Sequence, residues 1–249
     1  MVGVELISTG DKDVDDLLGG GVISGGTLLL TYDEDSLGWV LGVKIFKNIV
    51  SRGGFGIIIN TLLPLPKLMM RAEYLGIDVE KFGENLIIID VFGSKYNIPS
   101  TKPYVYTVED WSDDTGLQKL SRLLEELYKS VVPRDRTIVT LLTTVDGAFY
   151  HFGREIAEGL IRMLLIGSYR RLPSNARFFQ LLLVDRDYVD ERTLEMLKAL
   201  SEQVIEVSAE FDSVEGEVVE TIRVPKSLVK GFTPRVEVIR LLQEHFVYK

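Results

Sequence analysis

The chain has 249 residues, 46% of them hydrophobic, a formal net charge of −9 and no cysteine. The length and hydrophobic content predict one globular α/β domain over residues 1–249, and the lack of cysteine excludes disulfides, thiolate catalysis and cysteine-ligated metal. The acidic excess argues against a broad nucleic-acid-binding surface, and because the apolar runs are too short to span a membrane we expect a cytoplasmic protein.

Five apolar runs along the chain have the length of β-strands. Each is rich in Leu, Ile and Val without regular polar alternation, which is typical of strands buried on both faces of a parallel sheet. They cover residues 27–32, 56–63, 85–90, 136–144 and 177–185.

Helical patterns separate these runs and follow the last one. They cover residues 37–50, 65–76, 114–131, 153–167 and 189–202. The strict alternation predicts an open, doubly wound sheet flanked by helices. Beyond it, residues 203–211 and 217–225 alternate apolar with polar side chains around a turn-like 212–216, which predicts an antiparallel hairpin at the sheet edge.

The loop TYDEDSLGWVLG (31–42) follows a glycine-rich run and a strand and opens a predicted helix, where many proteins bind a nucleotide phosphate. It contains Asp33, Glu34 and Asp35 but no lysine. Elsewhere, the segment SYRRLPSNAR (168–177) is the best candidate for a local basic patch, although its composition favours a solvated loop. Only two histidines are present, and no spacing of side chains indicates a metal site.

Three long segments resemble a KaiC-type domain of the RecA superfamily. STGDKDVDDLLGGGVISGGTLLLTY (8–32) is similar to the family's opening, residues 56–90 to its second and third core strands, and residues 202–231 to its closing hairpin. The resemblance covers nearly the whole chain. It implies a RecA-like fold, with a mainly parallel sheet and a C-terminal antiparallel hairpin at its edge, and a subunit of the kind that assembles into rings or filaments around ATP.

The family's phosphate-binding motif does not carry over. When G-x-x-x-x-G-K-[ST] is aligned without a gap, its two glycines fall on Tyr32 and Leu37, its lysine on Gly38 and its magnesium-binding hydroxyl on Trp39. We expect Asp33, Glu34 and Asp35, together with Ser36, to cap the helix themselves and to repel a triphosphate. The usual pocket is therefore predicted to bind no ATP and to hold no other cofactor.

The catalytic positions implied by the resemblance are also replaced. The family's pair of glutamates aligns with Leu62 and Leu63, neither of which can act as a base, and the aspartate of its fourth strand aligns with Thr140 or Leu141. Asp146 is the nearest carboxylate, but TTVDGAF (143–149) is interpreted as a turn. The apolar loop residues around Leu62 and Leu63 either plug the empty pocket, which is the more economical interpretation, or form an interface.

These replacements predict a non-catalytic pseudo-ATPase that acts as a regulatory or scaffolding subunit, with a protein partner or as a dimer or higher homo-oligomer. One alternative is a functional nucleotide- or metal-binding protein whose altered site uses the loop acids and Asp146. Another is an accessory protein of DNA recombination or repair, which would need a basic surface. The Ile/Val/Glu-rich composition would suit a thermophilic archaeon, where KaiC-like paralogues are numerous.

Overall fold

One large sheet organises the part of the chain that the computed structural model describes, residues 4–212 and 217–239. Its strands are β3 (Thr27–Tyr32), β4 (Phe55–Asn60), β5 (Leu86–Asp90), β6 (Val105–Tyr106), β7 (Ile138–Leu142), β8 (Phe178–Asp185), β9 (Gln203–Asp212), β10 (Glu217–Ser227) and β11 (Arg235–Ile239). Their order across the sheet is β11-β10-β9-β3-β8-β7-β4-β5-β6. A separate antiparallel pair consists of β1 (Leu6–Ile7) and β2 (Val22–Ile23).

All neighbouring strands from β9 to β6 pair in parallel. The five predicted strands β3, β4, β5, β7 and β8 lie within this stretch, and their side chains are buried on both faces of the sheet. In β3, for example, Leu28 and Leu30 pack on one face and Leu29 packs on the other. The predicted doubly wound, mainly parallel sheet is confirmed.

Helices cover both faces of the sheet. They are α1 (Lys12–Leu18), α2 (Gly38–Ser51), α3 (Leu65–Tyr74), α4 (Val91–Lys95), α5 (Gly116–Ser130), α6 (Val145–Arg171) and α7 (Glu191–Leu200), with a 3₁₀ turn at Arg186–Tyr188. Helices α1, α2 and α3 pack on one face, and α5, α6 and α7 pack on the other. The sheet therefore separates two hydrophobic cores.

Helix α6 begins eight residues earlier than the predicted start at residue 153. Thr144 is its N-cap, because its hydroxyl accepts a hydrogen bond from the Gly147 N–H, so the interpretation of TTVDGAF as a turn is wrong. The helix is interrupted at Gly153, whose φ of 76° lies in the left-handed region that favours glycine. The break divides α6 into a short first segment and a long second one.

The predicted hairpin lies at the sheet edge. β9 pairs in parallel with β3 and antiparallel with β10, and β11 adds a further antiparallel strand outside β10. Residues 213–216, where its turn is predicted, are outside the described residues. The hairpin places the middle of β10 beside the loop that leaves β3.

Strand β4 ends at Asn60, three residues before its predicted end. The Asn60 side chain closes a turn, since its Nδ2 donates to the Leu63 carbonyl at 2.7 Å and its Oδ1 accepts from the Leu63 N–H at 3.3 Å. Leu62 and Leu63 therefore lie in a loop before α3. The carboxyl ends of β3, β4, β7 and β8 meet at this edge, where open α/β sheets bind their ligands.

Candidate functional site

The loop between β3 and α2 is closed by a carboxylate from the C-terminal hairpin. Glu220 of β10 is 2% exposed, and its Oε1 accepts hydrogen bonds from the Leu37 N–H at 2.5 Å and the Ser36 hydroxyl at 3.2 Å. The Ser36 Oγ in turn accepts from the Gly38 N–H at 2.9 Å. The N–H groups of Leu37 and Gly38, at a helix start of the kind that attracts anions, are thus bound by groups of the chain itself.

The three loop acids do not cap α2, so that part of the sequence prediction is wrong. Asp33 forms an ion pair with Arg186 and accepts a hydrogen bond from the Ala209 N–H at 3.2 Å. Glu34 accepts from the Tyr188 hydroxyl at 3.3 Å, and Asp35 is exposed. Asp33 and Glu34 do not cap α2 because their side chains instead bind β9 and the 3₁₀ turn after β8.

The position that aligns with the motif's lysine has no room for a side chain. A Cβ atom on Gly38 would lie 2.5 Å from the Cβ of Tyr32 and 2.9 Å from the Cβ of Val207. Helix α2 therefore begins directly against β3 and β9. A lysine at residue 38 would require the helix to move away from both strands.

A pocket of about 740 Å³ lies next to this closed loop, on the α2 and α3 side of the sheet. Trp39, Val43 and Phe46 form one wall, because residues spaced by three or four lie on the same face of α2. Leu68 of α3 and Leu75, the residue after this helix, line the opposite wall. The floor consists of side chains from the strand ends, Ile58, Leu141 and Leu183 among them.

The sequence-predicted positions divide between this pocket and its surroundings. Tyr32, Glu34, Ser36, Trp39, Leu62 and Leu63 all line the pocket, whereas Asp33, Asp35, Leu37 and Gly38 do not. Leu62 and Leu63 are half-buried and contribute to the wall. The apolar loop residues therefore do not fill the space, and the expectation that they plug it is wrong.

Two aspartates stand at the polar end of the pocket. Asp146 Oδ1 accepts hydrogen bonds from the Thr144 hydroxyl and, at 3.1 Å, from the Asp185 N–H. Burial raises the pKa of Asp146, while the Thr144 hydrogen bond opposes that rise. Burial also raises the pKa of Asp185 to about 6, helped by the negative charges of Asp146, Asp187 and Glu34. Asp146 belongs to the altered site that the sequence leaves open as an alternative, whereas Asp185 has no counterpart among the predicted site residues.

The phenol of Tyr32 lies against this acidic end. Burial raises the pKa of Tyr32, and the charges of Asp146 and Asp185 raise it further, whereas the Arg71 guanidinium lowers it. The hydroxyl therefore stays protonated at neutral pH and is available as a hydrogen-bond donor. These groups are close together in the fold, although no spacing in the sequence indicates that they would be.

Replacing Asp185 with asparagine is expected to stabilise the protein in a pH-dependent way. The folded-state pKa of about 6 is above the unfolded value of 3.8, so folding costs free energy while Asp185 is charged, and this cost disappears as the pH falls from 6 to 4. We expect Asp185→Asn to raise the free energy of unfolding by about 1–2 kcal/mol at pH 8 and to change it little at pH 4. Urea unfolding at both pH values measures this, and equal effects at both would contradict it.

Other candidates from the sequence have structural partners. Arg177 forms an ion pair with Glu5 at 2.8 Å, which partly neutralises the predicted basic patch, and Arg171 donates a hydrogen bond to the Ser121 hydroxyl. Lys44 of α2, the first lysine after the loop that follows β3, forms an ion pair with Asp11 at 2.7 Å. Among residues 4–212 and 217–239 there is no group of three or more acidic or histidine side chains arranged to hold a metal ion. No helix in that part of the chain is long and apolar enough to cross a membrane.

Neither a protein-family model nor a curated protein matches the chain, but solved structures do. An uncharacterised protein of Pyrococcus horikoshii, in complex with an unknown peptide, has a TM-score of 0.75 at 19% identity and covers 94% of this chain and 100% of its own. A KaiC-like protein from P. horikoshii OT3 has a TM-score of 0.65 at 14% identity and covers 94% of this chain and 93% of its own.

The flagellar accessory protein FlaH from Methanocaldococcus jannaschii has a TM-score of 0.64 at 14% identity, over 95% of each chain. All three structures come from archaea. Sequence identities this low establish a shared architecture only. The chemistry of the site must therefore be argued from the residues of this chain. The chain has the RecA/KaiC-like fold, as its sequence predicts.

Proposed function

We propose that this chain is a non-hydrolysing protein of the RecA/KaiC-like ATPase fold, whose role is to bind a partner at the carboxyl edge of its sheet. One observation carries the proposal: Glu220 and Ser36 accept hydrogen bonds from the Leu37 and Gly38 N–H groups, at the helix start where a phosphate would otherwise bind. A triphosphate at that place would have to displace a buried carboxylate without a lysine to offset its own charge.

The remaining catalytic positions support the same conclusion. A γ-phosphate hydrolase needs a group that orients or deprotonates water, and Leu62 and Leu63 offer none. Strand β7 ends in Leu142, so no carboxylate stands at the end of that strand to hold magnesium. Asp33 and Glu34, which a metal-binding alternative would require, are engaged with Arg186 and Tyr188.

Binding of a partner is supported by the pocket. Its volume of about 740 Å³ lies within the range of ligand-binding pockets, and its walls are mostly apolar. One structure with the same fold is that of a protein in complex with an unknown peptide. We therefore propose a peptide segment as the ligand, supplied by another protein or by a second copy of this chain in a regulatory or scaffolding complex.

A thermal-shift titration tests the loss of nucleotide binding. ATP, ADP and GTP at 1 mM, each with and without magnesium, are expected to leave the melting temperature unchanged, because a ligand that binds only the folded state must raise it. Phosphate release from ATP should equal that of the buffer. A shift of several degrees with Mg-ATP that Asp146→Asn abolishes would overturn the proposal in favour of an altered nucleotide site.

A further inference from the structure

We propose that the pocket binds a short peptide segment of a partner protein that combines apolar side chains with one lysine or arginine, whose cation lies at Asp146 and Asp185. This inference rests on the proposed function and specifies its ligand. It follows from three features of the pocket, namely the chemistry of its walls, the charge of its polar end and the residues at its rim.

The walls favour apolar side chains. Trp39 and Phe46 of α2 line one wall, Leu68 of α3 and the following Leu75 line the other, and Leu62 also contributes to the lining. None of these side chains offers a charge or a carboxylate to a polar ligand. Burying apolar ligand surface here contributes about 25 cal/mol per Å², so two or three aliphatic or aromatic side chains would supply most of the affinity.

The polar end favours a cation. The charged side chains among the described residues that line the pocket are Glu34, Asp146, Asp185 and Arg71. Three carboxylates thus face one guanidinium, and Arg71 is exposed on α3. An acidic ligand would add a further negative charge to this low-dielectric site, whereas a Lys or Arg side chain would neutralise it and supply hydrogen-bond donors to the carboxylates.

The rim favours a peptide over a small organic amine. Tyr150 of α6 and Tyr188 of the 3₁₀ turn line the mouth of the pocket and are 82% and 62% exposed. A small amine would fill the pocket and leave both aromatic rings in water. A peptide whose chain continues across the mouth would cover them, and aromatic residues of this kind are enriched at protein interfaces.

Affinity for the cationic peptide is expected to fall at acidic pH. Asp185, with a pKa of about 6, is mostly ionised at pH 8 and about nine-tenths protonated at pH 5, so affinity should be about tenfold weaker at pH 5. The titratable and charged groups around Asp185 are Asp146, Asp187, Glu34, Tyr32, Tyr188 and Arg71. Asp146, whose pKa is also raised, is expected to change the affinity in the same direction.

Selection from a displayed library of random octapeptides tests the proposal. The native chain is expected to enrich peptides with several apolar residues and at least one Lys or Arg. In fluorescence anisotropy with the best labelled peptide, replacing its basic residue by Glu should weaken binding at least tenfold. Asp146→Asn and Asp185→Asn should each weaken binding of the basic peptide and spare a version in which leucine replaces the basic residue.

Surface variants locate the peptide. Tyr150→Ala and Tyr188→Ala should weaken binding, while Ile166→Ala, which removes a 56% exposed side chain of α6 outside the pocket lining, should leave it unchanged. Circular dichroism and the melting temperature confirm that each variant is folded. Native peptide affinity in both Tyr150→Ala and Tyr188→Ala would overturn the peptide assignment, because only a ligand confined to the pocket would leave both rings unused.

Two negative results have different meanings. This inference would be overturned by enrichment of acidic peptides, by enrichment that is insensitive to Asp146→Asn and Asp185→Asn, or by no enrichment at all. In each of these cases, an unchanged melting temperature with nucleotides would leave the proposed function intact. A nucleotide-induced shift would overturn the proposed function itself.

Discussion

Phe46→Ala is expected to lower the free energy of unfolding by about 3–5 kcal/mol, the usual cost of removing a buried phenyl ring. Phe46 is 1% exposed, and its ring lies against the backbone of β4, since a Cβ on Gly56 would come within 2.5 Å of the Phe46 Cζ. The cost is large because the Phe46 ring packs in the hydrophobic core beneath α2 and also lines the pocket. In a chain of this size the melting temperature should fall by roughly 6–20 °C.

Phe179→Ala is the matched control for this prediction. Phe179 is fully buried in the same core, on β8, but does not line the pocket. Both variants should lose similar stability in urea unfolding, whereas only Phe46→Ala enlarges the pocket and should change the affinity of a bound peptide. A loss below about 1 kcal/mol for Phe46→Ala would show that α2 closes over the space, contrary to the packing described here.

Glu220→Ala is expected to cost about 2–3 kcal/mol, because it leaves the Leu37 N–H and the Ser36 hydroxyl without their acceptor in a buried place. Glu220→Gln keeps an acceptor oxygen at the same position and should stay within about 1 kcal/mol of the native protein. Chemical denaturation of the two variants measures the difference. If alanine and glutamine were equally tolerated, the hydrogen bonds of Glu220 would have no role in holding the loop.

The pH dependence of the glutamine variant follows from the charge of Glu220. Burial raises the pKa of Glu220, and the hydrogen bonds from Leu37 and Ser36 oppose that rise. Because the pKa of Glu220 is higher in the folded state than in the unfolded state, the charged carboxylate makes folding less favourable at pH values above the folded-state pKa. In acid, where Glu220 is protonated in both states, this cost is absent. Glu220→Gln should therefore gain stability relative to the native protein as the pH rises from 4 to 8.

The sheet could be predicted because local composition decides it. Runs such as residues 27–32 and 177–185 are apolar throughout, and only a strand buried on both faces explains such runs at that length. The start of α6 was missed for a local reason as well. Thr144 and Gly147 were interpreted as turn residues, although the same threonine is a good N-cap and its hydroxyl binds the Gly147 N–H.

The site was only partly predictable because its decisive contacts are distant in sequence. Ser36 acts at the start of α2 as expected, but the carboxylate beside it belongs to Glu220, 183 residues beyond Leu37. In the sequence, Glu220 is one polar residue of an alternating strand and resembles a solvated one. Likewise, no sequence pattern indicates that α2 and α3 leave a pocket between them, because the pocket depends on how both helices pack on the sheet.

The contact between Glu220 and the start of α2 completes that corner of the fold with groups of the chain itself. A group tethered to the same chain acts at an effective concentration that a metabolite at millimolar levels does not readily match. On the function proposed above, fluctuations in the cell's adenylate pool would leave the shape of this loop unaltered. In an assembly of the proposed kind, such a domain would contribute a constant geometry, and any timing would come from its neighbours.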